Sequence, residues 1–492
     1  MRGSLRPQRK VSMGRPAAST LSASERDLLH EQTLWVLEQV GVSFPSARAL
    51  DVLERGGADV DRERRLARLP RALVEHCLST APGTVLLAGR DPAHDILLGS
   101  DRPLVCCADG EGTLVADDAT GEVRDATVGD LRDVCRLHDA LPEIDFLWTS
   151  LSSPSVAAEA APLVVDAVAL RESSKHIQSV SPKAPHMVPR VVEMFEAAAG
   201  ASLDERPIYS FLHCTVSPLQ HDPEVTDAGL DLVAAGAIVC PTSMPLMGST
   251  APVSVSGLSV IVLAELLSAV VLFQLARPGC GIVIEPMPGG TDMRTGQYLG
   301  GAPEVALANL ACVEVCRSWG LPTIGSGSTN DALGVDYQAG TENAFLWLSV
   351  ALAGAHGLVA SSFVHGSRVL SPAKAVLDAD AIRMLQRVLR GVAVDAESSL
   401  LADIAEIGPG GHFLGRNSTR AAARSGELFE PLALRRGRAD DRIDAALVTD
   451  AGQRARQILD EHVVTPLSDD AERLVVELLR EHGPAGAEGA AR

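Results

Sequence analysis

The sequence predicts an α/β fold, a closed (β/α)8 TIM barrel with an N-terminal mixed α+β extension and C-terminal helices. From Thr127 onward, short apolar runs alternate with helical stretches, and eight such runs occur before residue 415. Strands that alternate with helices require right-handed crossovers and a parallel sheet. Eight repeats fit a closed barrel. An open, doubly wound sheet is the alternative.

Each predicted strand is a short apolar run that breaks into glycine, proline or polar residues. The predicted helices between them include Val188–Ala199, Ser256–Ala276 and Ala302–Trp319. The eight predicted strands are Phe146–Ser150, His176–Val180, Ile208–Cys214, Ala237–Pro241, Gly281–Glu285, Thr323–Ser326, Gly357–Ser361 and Ile404–Ile407.

Four regions follow from this pattern. Residues 1–21 are Arg/Ser/Pro-rich and predict a flexible tail, and residues 22–126 predict the mixed extension. The extension opens with Ser22-Ala-Ser-Glu25, a capping-box pattern at a helix start. Residues 127–415 predict the barrel, and residues 416–492 predict a helical segment packed outside it.

Composition narrows the function classes. The 492 residues carry 43 basic and 63 acidic side chains, a net charge of −20, which argues against nucleic acid and against anionic membranes as partners. Nine cysteines without CxxC spacing fit a reducing cytoplasm. The run Val253–Ala276 is apolar enough to span a membrane, but Glu265 lies at its middle, so we expect a buried helix.

Polar loops follow the strands, where barrel enzymes carry their chemistry. The run Gly281–Ile284 leads into Glu285-Pro-Met-Pro-Gly-Gly-Thr-Asp-Met-Arg-Thr-Gly296, with two carboxylates and a guanidinium within ten residues. The chain has no GxxxxGK[ST], GxGxxG, GxSxG or HExxH motif, and no metal site is predicted. A zinc site from His213, Cys214 and Cys240 is a minor alternative to buried thiols.

Several stretches, in this order, resemble the trimethylamine methyltransferase family. They are Met247-Gly-Ser-Thr-Ala-Pro-Val253, Ala264-Glu265, Gln274-Leu-Ala-Arg-Pro-Gly279, Asp292-Met-Arg-Thr-Gly296, Pro303-Glu304, Asp336-Tyr-Gln-Ala-Gly-Thr-Glu342 and Gly408-Pro-Gly-Gly-His-Phe-Leu414. The resemblance covers residues 22–480. It implies a barrel whose mouth receives the cobalt of a separate corrinoid protein, which accepts a methyl group from a methylamine or betaine.

The resemblance and the residues together imply a quaternary amine, such as glycine betaine, as substrate. Trimethylamine enzymes insert pyrrolysine, whereas this chain contains only the twenty standard residues. A quaternary ammonium departs as a neutral amine, so it needs orientation but no acid. The chain lacks a DxHxxG cobalamin signature, so the corrinoid would arrive on a partner protein and not be held tightly by this chain. Homo-oligomerisation is left open.

Aromatic faces and carboxylates hold such cations, and basic groups hold a betaine carboxylate. The predicted catalytic residues are Glu285, Asp292 and Asp331. The loop expected to face the corrinoid contains Gly410, Gly411 and His412. The predicted substrate-binding residues are Trp148, Arg294, Tyr298, Tyr337, Phe363, His365 and Arg368.

Three other functions are compatible with the sequence. A non-catalytic barrel that binds quaternary ammonium compounds is the main alternative, because Ser371-Pro-Ala-Lys374 lacks the Tyr and Glu of the family's Ser-Tyr-Glu-Lys-like segment. A metal-dependent lyase that uses Glu285 and Asp292 is the second. A purely structural subunit ranks last.

Overall fold

The computed structural model describes residues 18–100, 104–109, 112–148, 151–327, 329–395, 398–425, 428–436 and 447–484. Most of the predicted tail, residues 1–17, and the last two residues of the first predicted strand lie outside this set. Eight parallel strands form a barrel: β1 (Val105–Asp109), β2 (Phe146–Trp148), β3 (Ile177–Val180), β4 (Tyr209–Cys214), β5 (Ile238–Ser243), β6 (Glu285–Pro286), β7 (Ile324–Gly325) and β8 (Gly357–Ser361).

The barrel closes between β6 and β7. The ladder runs β6-β5-β4-β3-β2-β1-β8-β7, and a parallel bridge joins Ile284 to Thr323 at its two edges. Ile324 N donates to Ile284 O at 3.0 Å, and Ile284 N donates to Pro322 O at 2.9 Å. The closed barrel is the predicted architecture, and the open-sheet alternative is wrong.

Each strand is followed by a helix that returns along the outside of the barrel. Val188–Ala199 has the predicted bounds, and the other predicted helices agree within a few residues. The eight helices are α1 (Val128–Ala140), α2 (Ala161–Glu172), α3 (Val188–Ala199), α4 (Pro223–Ala234), α5 (Val255–Ala276), α6 (Pro303–Ser318), α7 (Tyr337–Leu352) and α8 (Pro372–Leu389).

Two strand assignments need correction. The first barrel strand is Val105–Asp109, which the sequence analysis placed in the N-terminal extension; it pairs in parallel with both β2 and β8. The predicted eighth strand, Ile404–Ile407, is the end of an exposed helix, Leu401–Ile407. Two isoleucines three residues apart lie on one face of a helix, whereas a strand would point them to opposite faces.

The N-terminal extension covers α5. Its helices are Ala23–Trp35, continued by a π-helical turn at Val36–Val40, Ala47–Arg55 and Arg71–Thr80, and its strands Val42–Ser43, Asp59–Asp61 and Leu66–Arg68 form an antiparallel sheet. The predicted capping box is present, since Ser22 accepts from Glu25 N and Glu25 accepts from Ser22 N. Because the barrel lies on one side of α5 and these helices on the other, α5 is apolar on all faces.

In the part of the chain that the structure describes, α5 is the one helix long and apolar enough to cross a membrane. Of its most apolar window, 83% is buried inside the fold. This agrees with the expectation of a buried core helix.

An antiparallel hairpin closes the end of the barrel at which the strands begin. Its strands, Val85–Leu87 and Ile96–Leu98, flank a 3-10 turn at Pro92–His94. Val85, Leu87, Ile96 and Leu98 join the apolar cluster inside the barrel. Any open path into the barrel therefore leads from the other end, called here the mouth.

Short strands surround the mouth. One group is Leu246–Met247, Gly289–Thr291 and Tyr298–Leu299, and the other is Phe363–Val364, Val369–Leu370, Leu114–Ala116 and Val123–Asp125. A further 3-10 turn, Pro185–Met187, precedes α3. These strands give the loops after β1, β5, β6 and β8 fixed backbone geometry.

Within the described residues after α8, four helices are present. Leu447–Glu461 packs on α8 and α1, and Asp469–His482 packs on α2 and α3, as predicted for helices outside the barrel. Leu401–Ile407 and Asn417–Arg424 lie between α8 and these two, in a segment whose described residues are all exposed or partly exposed.

Candidate active site

Glu285 is fully buried inside the barrel, at the carboxyl end of its sixth strand. Gln178 Nε2 donates to Glu285 Oε1 at 2.8 Å, and Thr242 Oγ1 lies 3.2 Å from Glu285 Oε2. These partners come from β3 and β5, so the carboxylate is held from two sides of the barrel. Removing a carboxylate from water costs free energy, and hydrogen-bond donors around the buried carboxylate offset this desolvation cost.

A column of polar side chains leads from the closed end of the barrel to Glu285. His176 Nδ1 lies 3.1 Å from Ala88 O, and His176 Nε2 lies 2.8 Å from Ser210 Oγ. Cys240 Sγ donates to Gln178 Oε1 at 3.3 Å, which orients the Gln178 amide so that its NH2 faces Glu285. Burial lowers the pKa of His176 to about 4, so the imidazole is neutral at pH 7.

Trp148 lies beside Gln178 in the barrel interior. The two residues are register partners of β2 and β3, and the Trp148 ring is buried in the interior apolar cluster. Among the described residues, the Trp148 Nε1–H has no hydrogen-bond acceptor. A buried donor without an acceptor costs about 1–3 kcal/mol, so a bound acceptor would recover this energy.

Asp292 and Arg294 lie at the tip of the hairpin after β6. Asp292 accepts from Arg294 N at 2.9 Å and from Thr295 Oγ1 at 2.8 Å, and these hydrogen bonds lower its pKa. The Arg294 side chain is 92% exposed, and its Nε lies 3.6 Å from Asp292. Asp292 therefore shapes its own turn, and the structure does not bring this predicted pair to Glu285.

Three further predicted residues lie on adjoining loops of the mouth. Asp331 accepts from Gly300 N at 2.7 Å and Gly301 N at 3.1 Å, so its carboxylate joins the loops after β6 and β7. His365 N donates to Ala332 O at 2.7 Å, which joins the loops after β7 and β8, while the His365 side chain is exposed. Tyr298, half-buried, belongs to the same group of loops.

The Tyr298 ring packs closely against three glycines. A Cβ at Gly289 would lie 2.8 Å from its ring, one at Gly300 would lie 3.0 Å away, and one at Gly366 3.3 Å away. Side chains larger than hydrogen at Gly289 and Gly300 would displace this ring. The glycines thus allow one aromatic side chain to lie against two parts of its own loop, the one after β6, and against the loop after β8.

Three predicted substrate contacts lie away from the barrel interior. Phe363 is a core residue, buried against Gly112. Tyr337 begins α7, and 88% of its surface is exposed on the outside of the barrel. Arg368 is exposed on the loop after β8. An aromatic or basic residue in a motif does not reveal which way its side chain points.

The loop predicted to face the corrinoid is fully exposed. Gly410, Gly411 and His412 follow the exposed helix Leu401–Ile407, and this segment begins where α8 ends. Barrel helices run back from the mouth, so α8 ends at the closed side of the barrel. Within one chain, this loop therefore does not lie beside Glu285.

Sequence reasoning missed Gln178 and Thr242. Gln178 occupies an inward position of β3, and Thr242 occupies one of β5, with Thr242 the register partner of Glu285. A polar residue at an alternate position within a buried strand was the available signal.

Glu265, in the middle of α5, is a second buried carboxylate that the sequence analysis did not assign. It accepts from Thr215 Oγ1 at 2.6 Å, Ser243 Oγ at 2.7 Å, Ser217 Oγ at 2.9 Å and Leu219 N at 2.9 Å. These donors follow β4 or end β5. Glu265 therefore fixes the loops at this part of the mouth and explains a charge within an apolar helix.

Thiols and imidazoles do not assemble into a zinc site. His213 faces outward, with its Nε2 2.8 Å from His221 Nδ1, whereas Cys240 faces the barrel interior. Burial, with the nearby Glu285, raises the pKa of Cys240 well above its usual range. Over the described ranges, no three His, Cys, Asp or Glu side chains come together as metal ligands.

The fold and this interior define a closed (β/α)8 barrel with a carboxylate at its centre. The architecture matches the crystal structure of the monomethylamine methyltransferase MtmB from Methanosarcina barkeri, with a TM-score of 0.52 over 92% of this chain and 90% of that chain. The two sequences are 10% identical, so this likeness establishes the fold.

The chain belongs to the trimethylamine methyltransferase (MTTB) family, whose model matches residues 2–477. It is 29% identical to trimethylamine methyltransferase MttB of Desulfitobacterium hafniense over 406 residues, 82% of each chain. It is 27% identical to MttB2 of Methanosarcina mazei, over 92% of each chain. It is 26% identical to a glycine betaine methyltransferase of Desulfitobacterium hafniense, over 95% of this chain and 98% of that protein.

Proposed function

We propose that this protein transfers a methyl group from a quaternary amine resembling glycine betaine to the cobalt of a separate corrinoid protein. The proposal rests on two groups that lie inside the same barrel: the buried Glu285 carboxylate and the Trp148 N–H without an acceptor. The Glu285 carboxylate suits a permanent cation, and the Trp148 N–H suits a carboxylate. We further propose that the reaction takes place in the cytoplasm.

Glu285 would lie beside the trimethylammonium group. A quaternary nitrogen offers no N–H, so only charge and aromatic surface can hold it. In a buried site, a fixed carboxylate attracts such a cation much more strongly than in water. Gln178 and Thr242 would hold the carboxylate in place as substrate enters, so binding energy is not lost to reorganisation.

Trp148 would contribute in two ways. Its ring face can lie against the methyl groups of the cation, and its Nε1–H can donate to the betaine carboxylate. Together with Glu285, these contacts would orient one N–CH3 bond toward the mouth. The carbon–nitrogen bond breaks, its electron pair stays on nitrogen, and dimethylglycine departs as a neutral amine.

The carrier's reduced cobalt supplies the nucleophile that accepts the methyl group. The sequence has no cobalamin signature, so this chain must offer a surface to the carrier. Four loops of the mouth expose apolar side chains to solvent: Val216 after β4, Met244 and Val253 after β5, Met293 after β6 and Leu333 after β7. Exposed apolar surface of this kind is typical of a docking site.

An anaerobic assay tests the proposal. The purified chain is mixed with a reduced corrinoid carrier and glycine betaine, and the absorbance of the methylated carrier is followed. We expect methylation with glycine betaine and a variant Glu285→Gln at least ~100-fold slower, since a buried charge pair is lost. An exposed control, Arg294→Gln, should retain activity.

A non-catalytic quaternary-ammonium-binding barrel is the second candidate, favoured by the departure at Ser371–Lys374. It predicts thermal stabilisation by glycine betaine without methylation of any carrier that a related enzyme methylates in parallel. That result would refute the transferase and retain the binding site.

A further inference from the structure

The Gln178 amide has two possible orientations, and each requires a different charge on Glu285. With the NH2 group toward Glu285, Nε2 donates to the carboxylate at 2.8 Å, and the amide Oε1 faces Cys240 Sγ at 3.3 Å and Ser210 Oγ at 3.4 Å. In the rotated amide, the carbonyl oxygen would face Glu285 Oε1 instead. Two acceptors repel at that distance unless the carboxyl group carries a proton. The amide orientation and the charge of Glu285 are therefore coupled.

His176 determines where the Ser210 hydroxyl proton points. His176 Nδ1 lies 3.1 Å from the carbonyl oxygen of Ala88, which can only accept, so Nδ1 carries the ring proton. Burial lowers the pKa of His176 to about 4, so the ring is neutral at pH 7 and its Nε2 is an acceptor. Ser210 Oγ lies 2.8 Å from Nε2 and 3.4 Å from Gln178 Oε1. The hydroxyl proton therefore goes to the imidazole and not to the amide.

Of the two side chains that reach Gln178 Oε1, Cys240 is then the one that donates to it. The thiol is fully buried, and burial with the nearby Glu285 raises the pKa of Cys240 well above its usual range. The S–H proton therefore stays in place at pH 7. A thiol is a weak donor, but a buried carbonyl oxygen that loses its donor is costly. The S–H group thus favours the orientation in which the amide NH2 faces Glu285.

Cys240 and His176 are the titratable side chains that share this polar column with Glu285. Both are neutral at pH 7, for the reasons just given. A third titratable group, Glu265, lies on the outer side of β5, where Ser243 Oγ donates to it at 2.7 Å. Within the column, the amide is therefore the contact that links the thiol to the charge of Glu285.

We propose that Cys240 is a positioning residue whose S–H group fixes the Gln178 amide in the orientation that keeps Glu285 a carboxylate. This inference rests on the proposed function, because a permanent cation is attracted to the charged form of Glu285. Without the thiol, the rotated amide would donate to Ser210 Oγ, and Glu285 would take up a proton and donate to the amide carbonyl. Cys240 thus acts on the substrate through Gln178 and does not touch it.

Calorimetric titration with glycine betaine at pH 6 and pH 8 tests this role. The variant Cys240→Ala should bind about tenfold more weakly at pH 6 than at pH 8, since one buried hydrogen bond no longer opposes protonation of Glu285. The wild-type chain and Cys240→Ser, which keeps a donor, should differ less than threefold between the two pH values. The matched control is Cys107→Ala. Cys107 is also a buried thiol of the barrel interior, but its Sγ faces Leu358 O at 3.8 Å, so this variant should behave as the wild-type chain does.

Infrared difference spectroscopy of the ligand-free protein tests the same role without substrate. At pH 6, Cys240→Ala should show an additional protonated-carboxyl band relative to the wild-type chain, and the double variant Cys240→Ala, Glu285→Gln should lack it. Absence of this band from Cys240→Ala, or its presence in Cys240→Ser, overturns the proposal. A loss of betaine affinity that is equal at both pH values also overturns it, because it would indicate packing alone. If the wild-type chain binds no betaine, the proposed function fails, and the infrared band still decides the role of Cys240.

Discussion

The replacement Glu285→Gln should weaken glycine betaine binding without weakening an isostere that lacks the quaternary charge. Glu285 is fully buried, so solvent screens it little. At a separation of about 4.5 Å and an effective dielectric constant of about 20, a carboxylate and a quaternary nitrogen attract by roughly 3–4 kcal/mol. This free energy corresponds to a loss of affinity of roughly 150- to 900-fold.

The variant changes charge with little change of shape. Gln178 can still donate to the new side-chain carbonyl, and Thr242 can accept from the new NH2. The matched ligand is 3,3-dimethylbutanoate, in which carbon replaces the quaternary nitrogen. Isothermal titration calorimetry with both ligands therefore separates charge from packing.

We expect the variant to lose affinity for glycine betaine alone. Equal losses for both ligands would indicate a structural defect in the variant, and a change of less than threefold for glycine betaine would refute the role assigned to Glu285. A thermal melt of the variant without ligand should agree with the wild-type melt to within a few degrees, which confirms that the barrel remains folded.

Trp148→Phe removes the N–H that has no acceptor and should lower the affinity for glycine betaine about tenfold in calorimetry. The affinity for choline, which has no carboxylate, should be unchanged. Asp292→Ala should change betaine affinity less than threefold, because the Asp292 carboxylate accepts hydrogen bonds within its own turn. A larger loss of affinity would show that Asp292 contributes to substrate binding. Burial lowers the pKa of His176 to about 4, so only the unfolded chain protonates this residue between pH 6.5 and 5. His176 should therefore contribute a fall of about 1.6 kcal/mol in the free energy of unfolding as the pH drops across this range. Urea denaturation at each pH measures the free energy of unfolding. The variant His176→Gln should show a weaker dependence of this free energy on pH than the wild-type chain.

The barrel could be predicted because its pattern is local and repeated. Seven of the eight strands were located from apolar runs that end in polar loops, and their helices from spacing. Val105–Asp109 was missed because short turns on both sides made it resemble one more hairpin strand. Ile404–Ile407 was mistaken for a strand because Gly408-Pro409 follows it, although the spacing of its isoleucines is helical.

The site could be predicted only where strand position fixes a side chain. Glu285 and Trp148 are on barrel strands, where alternation decides which residues point inward, and both lie in the interior. Asp292, Arg294 and Tyr337 are on a hairpin tip and a helix start, where sequence does not determine direction. Gln178 and Thr242 were missed because their role depends on Glu285, which lies on another strand and is far from both in the sequence.

The most direct measurement is a crystal structure of the chain soaked with glycine betaine. We predict ligand density inside the barrel, with the quaternary nitrogen about 4–5 Å from the Glu285 carboxylate and the ligand carboxylate within hydrogen-bond distance, about 3 Å, of Trp148 Nε1. Density in any other part of the molecule, or an interior that stays closed to the ligand at saturating concentration, would contradict it.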